Sequence, residues 1–150
     1  MEVSVEVEIA QRKEKVWAVI TDIENAADVI SEIIDLKILH MPKEGLVDLK
    51  WRETRKVFGK VSSETMWITD AVENISYKVR AESHGSVYLS SFWLEELGDK
   101  TLLKMSFNSQ PQTLFLKIIS PLMNLMIKGS MKKMMRQDLE DIKHYIEDLM

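Results

Sequence analysis

Residues 51–66 read WRETRKVFGKVSSETM, two runs of strand-forming residues joined at Phe58-Gly59. If that dipeptide is a two-residue hairpin turn, Val57 falls opposite Lys60, Arg55 opposite Ser62, Glu53 opposite Glu64 and Trp51 opposite Met66, with Leu49 and Ile68 continuing the ladder. Opposed residues share a face. The face that carries Trp51 and Met66 therefore also carries Glu53, Arg55 and Glu64, so two carboxylates and a guanidinium stand in phase with an apolar stripe.

The same arithmetic extends outward. From Leu46 to about Gln110 the chain reads as five strands joined by tight turns centred on Phe58-Gly59, Val72-Glu73, His84-Gly85 and Gly98-Asp99. Turning about His84-Gly85 pairs Ala81 with Tyr88, Val79 with Ser90 and Tyr77 with Phe92. Turning about Gly98-Asp99 pairs Leu94 with Leu103 and Phe92 with Met105. Upstream, residues 2–9 alternate Val3, Val5, Val7 and Ile9 against Glu2, Ser4, Glu6 and Glu8, which is a strand. Val16, Trp17, Val19 and Ile20 take helical spacing between Arg12 and Thr21, and a second short helix fits Glu24 to Ile30. Ile33 to His40 is a further strand, and Met41 to Gly45 a loop. Gln112 to Met150 turns helical, with Ile118, Leu122, Leu125, Met135, Leu139, Ile142, Ile146 and Leu149 largely at spacings of three and four, and Pro121 marks a first turn or a kink. The expected class is α+β: a curved antiparallel sheet of about seven strands wrapped around a long C-terminal helix, with two short helices after strand 1.

Composition narrows the function. A chain of 150 residues, 45% apolar and 29% charged, fits a single domain over residues 1–150 and buries about 68–70% of its unfolded surface. The net charge of −4 lacks the basic footprint that holds a phosphate backbone, so no nucleic-acid partner is expected. Cysteine is absent, which removes disulfides, thiolate metal sites and a cysteine nucleophile. The N-terminal alternation is not that of a signal peptide, so a cytoplasmic location is the default expectation. Leu114 to Ile127 is interrupted by Lys117, Pro121 and Asn124, so no stable membrane anchor is expected. His40, His84 and His144 lie far apart without metal-ligand spacing, and no glycine-rich phosphate loop or serine triad motif is present, so neither a metal nor a cofactor is expected.

The inner face thus gathers Trp51, Met66, Ile68, Tyr77, Val79, Ala81, Phe92, Leu94, Leu103, Met105 and Phe107, interrupted by Glu53, Arg55, Glu64, Tyr88 and Ser90. Burying charge costs several kcal/mol unless it is paired, and Arg55 between Glu53 and Glu64 is the arrangement that makes such a site tolerable. Crowded, desolvated carboxyls titrate high, as general acids do. Two readings stay open: a structural ion-pair network at an open end of the sheet, and the polar end of an apolar cavity. Ten methionines are present, with Met123, Met126, Met131, Met134 and Met135 all in the last helix; they are either core filler or an adaptable ligand surface. Gly129 among them makes room for a ligand or for a neighbouring strand. Trp67 and Trp93 fall on the outer face near Lys78 and Arg80.

Four segments together, VEVEIAQRKEKVWAVITDIEN, WRETRKVFGKVSSETMWIT, ISYKVRAESHGSVYLSSFWLEE and QDLEDIKHYIE, resemble the polyketide cyclase/dehydrase and lipid-transport superfamily, also called START-like or SRPBCC. The resemblance runs along essentially the whole chain. It implies a helix-grip fold with a hydrophobic cavity between sheet and helix. It also implies binding or transport of a small hydrophobic or amphipathic ligand: a lipid, fatty acid, isoprenoid or aromatic polyketide-like metabolite. The candidate ligand-binding residues are Trp51, Glu53, Arg55, Glu64, Met66, Tyr77, Tyr88, Ser90, Phe92, Met105, Met126, Met131 and Met135. The alternative is a polyketide cyclase- or dehydratase-like enzyme with Glu53 or Glu64 as general acid/base and Arg55 as electrostatic stabiliser; the absence of a histidine from the expected pocket weighs against it. The expected oligomeric state is a monomer or weak homodimer.

Overall fold

The computed structural model describes residues 2–57, 59–83, 85–111 and 114–149, and the side chains of residues 57, 111 and 114–127 fall outside that description. The chain runs β1 (Glu2–Ile9), α1 (Lys13–Ile20), a 3₁₀ turn (Ile23–Asn25), α2 (Ala26–Val29), β2 (Ile33–His40), β3 (Lys50–Val57), β4 (Lys60–Val72), β5 (Ser76–Ser83), β6 (Ser86–Leu97), β7 (Lys100–Pro111) and α3 (Leu114–Asp148). The strands form one antiparallel sheet in the order β1-β7-β6-β5-β4-β3-β2. The first strand joins the last, and β1 and β2 become the two edges. The curved sheet grips α3, the expected α+β helix-grip arrangement.

Hairpin arithmetic recovers the register. Val57 pairs with Lys60, Arg55 with Ser62, Glu53 with Glu64 and Trp51 with Met66. Tyr77 pairs with Phe92, Val79 with Ser90 and Ala81 with Tyr88, and Phe92 pairs with Met105 and Leu94 with Leu103. Two details differ. β3 begins at Lys50, after Asp48 at φ 75°, so Leu49 meets Ile68 through an Ile68 N–H to Leu49 O bond of 3.0 Å outside the regular ladder. The turn expected at Val72-Glu73 is instead the three-residue loop Glu73–Ile75, because Asn74 takes the left-handed conformation at φ 61° and Val72 pairs with Ser76. Asparagine tolerates that region better than other non-glycine residues. A register shift between Ile68 and Asp70 then restores the inward phase of Ile68 opposite Val79.

The core forms where three apolar patterns converge. Val3, Val5 and Ile9 come from β1, Val16, Trp17 and Ile20 from α1, and Met135, Leu139, Ile142 and Ile146 from α3, against Ile68, Tyr77, Val79 and Leu103 of the sheet. Ile9, Ile68, Leu103 and Ile146 are fully buried, each contributing about 2 kcal/mol by removal from water. Tyr77 fastens α1 to this core: its hydroxyl donates to Ile20 O at 3.1 Å, and its ring meets Trp17 edge-on at 5.9 Å and stacks on Phe92 at 4.9 Å.

Along α3 the burial changes character. Lys128 stands one heptad before Met135 and two before Ile142, so all three share a helical face. Yet Met135 and Ile142 are buried while Lys128, Gly129 and Ser130 are all exposed. Here α3 stands clear of the sheet. A Cβ built on Gly129 meets nothing within 4 Å, so no neighbouring strand requires glycine there. Gly129→Ala is expected to stabilise the protein by about 0.5–1 kcal/mol through helix propensity, read as a higher urea midpoint at unchanged m-value. A lower midpoint would mean that the space beside Gly129 is needed.

Candidate functional site

The in-phase charges at Glu53 and Arg55 project inward, as β3 alternation requires. Trp51 is 3% exposed and Glu53 9%. Arg55 does not bridge Glu53 to Glu64. Its Nε donates to Glu53 Oε2 at 3.0 Å, and its Nη1 donates to both carboxylate oxygens of Asp138 at 3.0 and 3.3 Å. A second Arg55–Glu53 contact of 2.9 Å closes the fork. Trp51 Nε1 donates to the other oxygen of Glu53 at 3.4 Å. The result is a buried carboxylate–guanidinium–carboxylate bridge from β3 to α3.

Asp138 was not foreseen from the sequence. Its signal was there: it sits three residues after Met135 and four before Ile142, which places an acid on the apolar face of the last helix. Burial pushes its carboxyl up to about 6, against the lowering by Arg55. Burial of Arg55 opposes its charge, but Asp138 and Glu53 together outweigh that and hold the guanidinium above its ordinary value. One cation between two carboxylates leaves an excess negative charge when all three ionise, and a proton on Asp138 relieves it. Burial first, and the charge of Glu53 second, also push the Tyr77 phenol up, so it remains a donor to Ile20.

The other strand candidates occupy the same concave face. Glu64 is half-buried and faces Glu53 across the ladder. Its charge acts on Tyr88, whose phenol is raised first by burial and then by Glu64, against a lowering hydrogen bond with Ser86. Tyr88 stacks on Phe107 at 5.8 Å. Met66, Ser90, Phe92, Met105 and Met131 are half-buried and Met135 is buried; Met126 lies outside the described side chains. On the convex face Trp67 takes a cation, but it is Lys50, 5.8 Å from the ring centroid, while Arg80 turns to Glu82 at 2.7 Å.

At the β1 edge of the sheet lies a half-open cavity of about 500 Å³, lined by Ser4, Val5, Glu6, Trp93, Lys104, Met105, Lys132 and Arg136; by register the side chains of Ser4, Glu6, Trp93 and Lys104 belong to the convex face and those of Val5 and Met105 to the concave one. Of these, the sequence reading had singled out Met105 for a ligand site. The bridge residues Glu53, Arg55 and Asp138 are not in this lining. The ionic tie under β3 is thus sealed on the concave face, and the half-open cavity lies apart from it at the β1 edge.

Two predictions follow from the tie. Arg55→Met strands two buried carboxylates and is expected to cost about 3–5 kcal/mol, with Asp138→Asn in the same chain recovering part of the loss; additive effects in urea melts would show that the two side chains are not coupled. The folded carboxyl of Asp138 titrates at about 6 against an ordinary 3.8, so its contribution to stability is fully present below that lower value and is lost as pH rises through the upper one. Asp138→Asn should therefore gain stability relative to wild type between about pH 4 and pH 7; a difference that stays flat or falls over that range would contradict the assignment.

Comparison with known proteins bears on the whole chain. The family described as polyketide cyclase / dehydrase and lipid transport matches residues 1–147. No curated protein matches the sequence. Among solved structures, a START superfamily protein from Mycobacterium smegmatis superimposes with a TM-score of 0.84 at 20% identity, covering 99% of both chains. A Thermus thermophilus protein gives 0.80 at 16% identity over 97% of each. An aromatase/cyclase from Streptomyces gives 0.73 at 15% identity, covering 98% of this chain and 93% of its own. At those identities the likeness shows the fold alone.

Proposed function

We propose, since the chain belongs to the polyketide cyclase/dehydrase and lipid-transport family, that it binds a small hydrophobic or amphipathic molecule in the hollow between sheet and α3. The observation that carries this reading is the incompletely covered concave face, on which Met66, Ser90, Phe92 and Met105 stay half-buried; a half-open cavity of about 500 Å³ opens at the β1 edge beside it, inside the range of about 300–1,000 Å³ usual for small-molecule sites. Half-buried Met66 and Met105 on the sheet and Met131 on α3 supply adaptable apolar surface. A lipid, fatty acid, isoprenoid or aromatic metabolite fits that description.

A catalytic reading, cyclase- or dehydratase-like, has one observation on its side: the raised carboxyl of Asp138, in the range of a general acid. Against it, both oxygens of that carboxyl accept from Arg55, and Arg55 is engaged by two carboxylates instead of facing an open space. Binding without chemistry is the better supported reading.

Protein purified without detergent, extracted with organic solvent and analysed by mass spectrometry, is expected to release an amphiphile near one per chain. Met105→Trp, which adds bulk to the half-buried concave face, should lower that yield severalfold at unchanged circular dichroism. If nothing is extracted and the neutral probe N-phenyl-1-naphthylamine shows no saturable binding, the cavity reading is wrong.

A further inference from the structure

The convex face of the sheet carries its charges unevenly. Register sets Lys37 opposite Arg52, Lys50 opposite Trp67 and Lys56 opposite Val61. Because Trp51 and Glu53 of β3 are buried on the concave side, Lys50, Arg52 and Lys56 alternate to the convex side, and their cross-strand partners Lys37, Trp67 and Val61 go with them. The other edge is the reverse: β1 turns Glu2, Glu6 and Glu8 outward, in antiphase to buried Val3, Val5 and Ile9. A chain of net charge −4 thus keeps a cationic end on its convex surface.

The fold itself gives no reason for that end. Lys37 and Arg52 stand directly opposite one another, a like-charge cross-strand pair that costs stability. Among the described residues, neither they nor Lys50 or Lys56 form an ion pair. Lys50 lies over the Trp67 ring, and Arg80, opposite Trp67, is taken by Glu82. The other acids on this part of the face are Asp35, opposite Thr54, and Asp70, opposite Lys78, so the cations remain in surplus.

Large apolar side chains lie among these cations. Val61, which shares the convex face with Lys56, is at 68% the most exposed of them among the described residues. Ile34 and Leu39, 58% and 47% exposed, sit at the two places where β2 slips register, and Met41 just beyond it is 57% exposed. A soluble acidic partner would call for the cations alone. Uncommitted cations interleaved with exposed aliphatic side chains and a half-buried tryptophan form the kind of surface that enters the interface of an anionic bilayer.

We propose that the convex face of β2–β4 docks reversibly on an anionic lipid bilayer, with Lys37, Lys50, Arg52 and Lys56 meeting lipid phosphates and Val61, Leu39 and Met41 entering the headgroup boundary. The acidic β1 edge, repelled by the same surface, orients the molecule with β2 toward the lipid and β1 away from it. This goes beyond the binding reading above and stands on different residues.

The test is co-sedimentation with phosphatidylglycerol-containing vesicles against phosphatidylcholine vesicles, for wild type, Lys37→Glu/Arg52→Glu and Val61→Ser/Met41→Ser. All four residues are exposed, so both variants are expected to melt close to wild type. Wild type should sediment with the anionic vesicles and not with the neutral ones, and about 1 M salt, where the Debye length falls to about 3 Å, should release it. A cation near such a surface contributes about fivefold in affinity, so charge reversal should weaken binding at least about tenfold. The serine variant should weaken it severalfold at unchanged charge. Lys132→Glu/Arg136→Glu, on α3, alters the net charge equally and should leave binding within about twofold. No binding of wild type to anionic vesicles, or equal loss in the two charge-reversed variants, overturns the proposal. So does a serine variant that binds as wild type does, which would assign the cations to a soluble acidic partner. None of these outcomes bears on whether an amphiphile is extracted from the protein, so the two readings stand or fall separately.

Discussion

The bridge from Arg55 to Asp138 and Glu53 ties a seven-stranded sheet to the helix it grips. A curved sheet holds a central helix mainly by apolar contact, which is strong but not directional. The guanidinium adds direction: its two contacts fix where along α3 the helix meets β3. Two further ties act nearby. Ser31 donates to Asp141 through both its N–H and its hydroxyl, at 3.0 and 2.7 Å, and Lys143 and Glu147 fasten the helix to β1. All of them lie between Asp138 and Glu147. Asp141 shows the tie electrostatically: burial acts to raise it, but the hydrogen bonds from Ser31 and Gln137 hold it below the usual carboxylate range. The C-terminal part of α3 is thus fixed on three sides, while Lys128 to Ser130 stand in solvent.

That division lets one molecule hold a dense core and a hollow together. Met135, Leu139, Ile142 and Ile146 pack against Ile9, Ile68 and Leu103 at close to zero exposure. Further along the concave face, Met66, Ser90, Phe92 and Met105 keep partial exposure. Folding free energy comes from the first region, which frees the second from having to be filled. The fold alone does not assign the chemistry of such a hollow; the side chains that face it must do so.

Strand register was legible because it is local. A two-residue turn and period-two alternation decide which side chains face inward, and they placed Glu53 opposite Glu64 and Tyr77 opposite Phe92 without reference to the rest of the chain. What failed were features outside that rule. Asn74 in the left-handed region lengthened one turn by a residue, which strand pattern does not reveal. Of the two acids expected beside Arg55, Glu53 holds, and the second was misjudged for a deeper reason: register relates strands to strands, and Asp138 arrives from a helix 83 positions away. Sequence showed that the guanidinium needed an acid, and only packing could choose which. The cavity cations escaped notice because at helical positions 132 and 136 they read as an ordinary solvated face.

Placing the helix against β1 has a bearing on self-association. An open sheet ends in two rows of main-chain groups able to recruit a strand from another molecule. At the β1 end, Lys143 and Glu147 take up groups at Glu8 and Ala10 and put long charged side chains across the approach. At the β2 end, shifts between Ile33 and Asp35 and between Ile38 and His40 break the ladder with β3, so the strand does not present an even template. Lengthwise stacking of sheets into fibres is hindered at both ends by different means, one ionic and one geometric.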